Sequence, residues 1–129
     1  MADVERSRLF RAKQHDLPIR VLVQKMYSKH VREVAQYPKI YKATIGRDMG
    51  DAFTALRSKV NAASKLFHKL TALREADIAL DNLRDVVWAA YDLKCISEGQ
   101  YGLWIEDMSA AGNMLGGWIR SVQESERKS

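Results

Sequence analysis

Cations dominate the residues of this chain that could do chemistry. Arg57, Lys65, Lys69 and Arg74 follow one another with no Asp or Glu between Phe53 and Arg74, and Arg20, Lys25, Lys29 and Arg32 form a second acid-free series upstream. Side chains that stay charged and can bond phosphate oxygens suit polyanion binding rather than bond making. A solvated surface is the plainer reading of any one of them. The other repeat is acidic: Asp77, Asp81 and Asp85 recur every four residues and could gather a divalent cation. Without the Glu-x-x-His pattern of di-iron bundles they read as a solvated helix face. His15, His30 and His68 are scattered, Cys95 has no base near it in sequence, and no glycine-rich loop joins a strand to a helix. No catalytic constellation results, so a binding protein is expected, not an enzyme, with neither cofactor nor metal.

The distribution of charge says more than the formal net +5. Residues 1–74 carry sixteen Lys or Arg against six acids, a net of +10, whereas residues 75–129 carry five against ten, a net of −5. A two-sided electrostatic surface follows, and its positive side has the footprint expected for a nucleic acid. The competing reading of that split is a solvated surface with opposite-charge contacts between subunits.

These side chains must be positioned by helices. With 129 residues, 47% of them hydrophobic, the chain has room for one domain with a real core. Two prolines, seven glycines and no period-2 alternation argue against hairpins, and the fold class is all-α. No run of about eighteen apolar residues marks a membrane span, and the charged stretch Met1 to Arg11 does not read as a secretory signal, so a cytoplasmic protein is expected. Asp16, Leu17 and Pro18 form a helix-start signal. Ile19, Leu22, Val23, Met26, Tyr27, Val31 and Val34 then supply the buried side of a first helix, with Arg20, Lys25, Lys29 and Arg32 outside it. Tyr37-Pro38 ends that helix, because a residue before proline is pushed out of the α region. After a link over Pro38 to Ala43, Thr44 can cap a second helix, whose stripe is Ile45, Met49, Ala52, Phe53, Leu56, Val60, Ala63, Phe67 and Leu70.

The apolar phase runs on without Gly or Pro, and helix-length statistics place a turn between about Thr71 and Asp77. A third helix is expected over roughly Ile78 to Ile96, with Trp88 widening its apolar surface enough to suggest a partner chain. Ser97 and Gln100 fit a capping box for a fourth helix. Its buried stripe is Tyr101, Trp104, Ile105, Met108, Ala111, Leu115, Ile119 and Val122. Gly112 lies on that stripe, where it would admit a neighbouring helix; Gly116 and Gly117 flank Trp118, and a packing or subunit-contact role is expected of them. The expected organisation is a basic N-terminal arm over 1–15, an up-down-up-down four-helix bundle over 16–123 and a charged tail over 124–129. Cys95, among apolar neighbours, reads as a buried structural thiol, and His30 as a histidine at the core edge.

Tyr37-Pro38-Lys39, the segment from Leu83-Arg84 to Ala90-Tyr91-Asp92-Leu93-Lys94, and above all Met114-Leu115-Gly116-Gly117-Trp118-Ile119-Arg120-Ser121 resemble the accessory variability determinant (Avd) proteins of diversity-generating retroelements. The resemblance covers about residues 17–123. It implies a bundle that assembles into a homopentameric, barrel-like ring with a positive surface. It also implies a non-catalytic partner of a reverse transcriptase and its template RNA, in a complex that makes mutagenised cDNA; DNA is a further polyanion such a surface could hold. Arg84 is carried over as a basic residue of the bundle exterior. A second arginine found one turn later in some members corresponds to Trp88 here. The expected nucleic-acid-binding set is therefore Arg20, Lys25, Lys29, Arg32, Arg57, Lys65, Lys69, Arg74 and Arg84. The related four-helix bundle proteins encoded in intervening sequences of bacterial 23S ribosomal RNA genes supply the alternative: a structural oligomerising protein without a reverse transcriptase partner.

Overall fold

Apolar residues three and four apart oblige each long segment to bury one face against another helix. The computed structural model describes residues 2–65 and 69–128, with side chains over 15–65 and 69–128. Among the described residues these are four long helices and one short one: α1 Ala2–Val34, α2 Lys39–Lys42, α3 Ile45–Lys65, α4 Leu70–Asp92 and α5 Glu98–Lys128. No strand occurs among the described residues. Contacts run from α1 to α3, α3 to α4, α4 to α5 and α5 back to α1, so the four long helices close a square. Cross-helix neighbours run in opposite directions. His15 meets Trp118 while Lys29 meets Asp107, and Arg84 meets Met108 while Tyr91 stacks on Tyr101. Tyr27 packs on Phe53 and Arg57, whereas Val34 lies against Gly46. The bundle is therefore antiparallel throughout.

Phe53, Trp104 and Trp118 are the largest fully buried side chains, joined by Ile19, Met26, Met49, Leu56, Leu73, Leu80, Leu83 and Leu115. Alanines at 52, 63, 72, 76 and 79 are also buried, and α3 and α4 form the most extensive pair. Small residues let backbones approach until larger neighbours interdigitate.

Several boundaries differ from the sequence expectation, each for a local reason. The first helix does not open at Asp16. It is continuous from Ala2, with Pro18 inside it and the Asp16 side chain buried within the helix. Proline removes one intrahelical bond, at a cost on the order of 3 kcal/mol. The His15–Trp118 stack, with centroids 6.4 Å apart, anchors α1 to α5 just before that proline. The link after Pro38 contains the single turn α2. Thr44 does not cap α3 with its hydroxyl; the hydroxyl donates backward to the Tyr41 carbonyl at 3.4 Å. The turn expected between Thr71 and Asp77 lies earlier: α3 ends at Lys65 and α4 begins at Leu70. Helix-length statistics could not see this, because the apolar phase is continuous across the turn. Phe67 and His68, assigned to the second helix from sequence, lie outside the described residues. Val31 and Ile105, placed on buried stripes, are exposed. The segment from Glu124 continues α5 to Lys128.

The end of α4 carries no glycine, yet it closes as a Schellman motif. Cys95 N–H donates to the Ala90 carbonyl at 2.7 Å and Lys94 N–H to that of Tyr91 at 3.0 Å, with Lys94 at φ 62°. Cys95 and Ile96 are buried behind it. The capping box forms as expected: Ser97 N–H donates to Gln100 Oε1 at 2.7 Å, and Gln100 N–H donates to Ser97 Oγ at 3.1 Å.

Candidate nucleic-acid interface

Three of the nine expected cations come together. Where α1 and α3 part at the surface, an open groove of about 430 Å³ is lined by Arg20, Lys25 and Arg57 together with Leu17, Val21, Gln24 and Asn61, and by no acid. Helix periodicity makes this arrangement: Leu17, Arg20, Val21 and Gln24 share one stripe of α1, and Arg57 and Asn61 are one turn apart on α3. Arg57 is held by the face of Tyr27, with its guanidinium carbon 4.5 Å from the ring centroid. That stacking leaves the guanidinium edge available for phosphate oxygens. Arg20 has an acid within reach, its Nη1 4.0 Å from Asp16 Oδ2. Leu17 is 60% exposed and Val21 45%, so the groove combines cations with an uncovered apolar floor.

Three other expected cations make contacts within the fold. Lys29 crosses to α5, where its Nζ donates to Asp107 Oδ2 at 2.8 Å and lies 4.1 Å from the Trp104 ring centroid. Lys69 folds back to donate to the Ala63 carbonyl, in the last turn of α3, at 2.7 Å. Burial lowers its pKa and nearby Asp16 partly offsets that. Arg84 pairs with Asp81, reaches the Met108 carbonyl at 3.4 Å, and lies over Gly112. A methyl group at Gly112 would come within 2.8 Å of the Arg84 Nη2, the far end of a flexible side chain, and 3.7 Å of Leu80, so it is the Arg84 guanidinium that lies over this glycine. Arg32, Lys65 and Arg74 are exposed and lie outside the groove lining.

Sequence reasoning missed Gln24, Asn61 and Tyr27 as parts of this surface. Gln24 and Asn61 had a signal, four residues after Arg20 and Arg57; Tyr27 had none, because its role depends on α3 lying beside it. Asp77, Asp81 and Asp85 are all exposed, and among the described residues no three His, Cys, Asp or Glu side chains converge on a metal-sized site. No described helix is long and apolar enough to cross a membrane.

The motif Leu115-Gly116-Gly117-Trp118 packs by its large members, with Leu115 and Trp118 buried. Cβ atoms at Gly116 and Gly117 would meet only the Arg120 guanidinium, at 3.4 and 3.9 Å. The family model described as bAvd-like matches residues 17–122. The chain belongs to the bAvd-like family. Comparison with curated proteins and with solved structures gave no match. The match spans the groove, the capping box and the Gly-Gly-Trp motif, and it begins at Leu17, part-way along α1. The first fifteen residues of α1, Ala2 to Asp16, are thus outside the family core of this bAvd-like chain.

Proposed function

We propose that this bAvd-like chain is a non-catalytic accessory protein of a diversity-generating retroelement. It binds nucleic acid through the α1/α3 groove and serves a reverse transcriptase and its template RNA as a homo-oligomer. The observation that carries the reading is the groove of Arg20, Lys25 and Arg57, which no acid lines, within a chain of this family. Three cations on two neighbouring helices neutralise successive phosphates and release their counterions, which gives sequence-independent, salt-sensitive affinity. The apolar floor and the Tyr27-braced guanidinium give bases and riboses something to lie against. A homo-oligomer multiplies each weak groove by symmetry, so a long RNA is held at several points.

The test is co-purification of the chain with the neighbouring reverse transcriptase and its RNA, followed by binding across a salt titration. The triple variant R20E/K25E/R57E should keep its helicity and lose RNA binding. Binding that ignores both salt and the triple variant would overturn the nucleic-acid reading. Purification without a reverse transcriptase, from a locus inserted in a ribosomal RNA gene, would favour the intervening-sequence alternative.

A further inference from the structure

The α1/α3 groove holds more than cations. Two of the side chains that line it, Gln24 and Asn61, end in amides, and both are exposed with no hydrogen bond to another described residue. Tyr27 meets Arg57 and Val34 meets Gly46, which sets an antiparallel register with Gln24 about level with Arg57 and Arg20 about level with Asn61. Each turn of the groove therefore pairs a cation on one wall with an amide on the other. Leu17 and Val21 lie beside them as uncovered apolar surface. The volume of about 430 Å³ falls within the roughly 300–1,000 Å³ of small-ligand sites.

A track for phosphates alone needs cations but neither concavity nor an apolar floor. An amide offers an acceptor beside two donors, which complements the donor and acceptor pattern of a base edge. In a duplex those edges are paired and stacked, so a base reaches such a groove only from a single strand. We propose that the groove takes single-stranded nucleic acid, with one base seated on the apolar floor and read at its edge by Gln24 and Asn61, while Arg20, Lys25 and Arg57 hold the flanking phosphates. The inference rests on the nucleic-acid reading of the groove and deepens it. The cations supply the sequence-independent share of the affinity, and the amides add a base-dependent share.

The test uses the full chain with labelled polyuridine, polyadenosine and polycytidine oligonucleotides and an RNA duplex of the same length, each measured across a salt series. The parent should favour the single strands over the duplex and discriminate among the three homopolymers by about tenfold, the scale of one good amide–base pair. Q24A/N61A should narrow that spread to about twofold and leave the slope of log K against log salt unaltered, because no phosphate contact is lost. Q24M/N61L repeats the test with side-chain bulk kept, and circular dichroism checks that both variants hold their helix. If the parent binds the three homopolymers within about twofold, or the duplex as tightly as the single strands, no base is seated and the inference is refuted. If Q24A/N61A keeps the parent's discrimination, or weakens all three homopolymers equally, the amides do not read a base and the inference is refuted. In each of these cases R20E/K25E/R57E still loses binding and the groove reading stands. If that triple variant binds like the parent, both readings fail.

Discussion

Trp104 ties α1 to α5, and its replacement by phenylalanine should be costly out of proportion to its size. The indole is fully buried, its Nε1 donates to Glu33 Oε1 at 2.8 Å, its ring carries the Lys29 ammonium at 4.1 Å, and Phe53 lies 5.8 Å away. W104F removes a hydrogen bond to a charged acceptor, nominally about 1.5–3 kcal/mol. Glu33 is half-buried, so water recovers part of this and about 1–1.5 kcal/mol is the net share. Lost indole packing adds roughly 1 kcal/mol and the weaker cation–π contact about 0.5 kcal/mol. The sum is about 3 kcal/mol, which for 129 residues corresponds to a fall of about 10 °C in Tm. Thermal and urea unfolding followed by far-UV circular dichroism, at fixed protomer concentration, measures it. E33A and the double variant complete a cycle with an expected coupling of about 1 kcal/mol. A coupling below about 0.3 kcal/mol would refute the claim that this cross-helix bond stabilises the bundle.

Other perturbations give smaller, signed effects. K94G should raise stability by about 1 kcal/mol, because Lys94 sits at φ 62° in the Schellman position that glycine adopts freely; urea midpoints measure it. G50A should stabilise by about 0.5–1 kcal/mol, since nothing lies within 4 Å of the added methyl, whereas G46A should destabilise because its methyl would fall 2.8 Å from Val34 Cγ2. His30 is buried against Phe53, its Nδ1 lacks a partner among the described residues, and burial lowers its pKa. The unfolded chain then takes up the proton first, so stability should fall as pH drops below about 6.5, and H30F should flatten that part of the Tm–pH profile. Cys95 is buried with its thiol pKa raised by desolvation, so a thiol reagent should react with it slowly in the native protein and fast in urea.

Local patterns were legible wherever the chemistry was local. The capping box at Ser97 and Gln100, the end of α1 before Pro38 and the buried thiol all follow from residues within a turn or two of one another. What could not be read is where a helix meets something distant. The α3–α4 turn lies within an unbroken apolar phase, so periodicity carried no mark of it. Lysines 29 and 69 looked like surface charges because their partners, Asp107 and the Ala63 carbonyl, become neighbours only after the chain folds back.

The sequence by itself determined the all-α class, the division of charge between the halves and the stripes that build the core, because helix periodicity and composition are properties of the chain alone. Tertiary structure alone decided which cations line the groove and which pair within the fold. Packing α1 against α3 gathers Arg20, Lys25 and Arg57 along one acid-free groove, and packing against α5 spends Lys29 on Asp107 and Trp104. A charge is left on the surface or held in a contact according to what lies across the helix interface, and that neighbour is chosen by the fold.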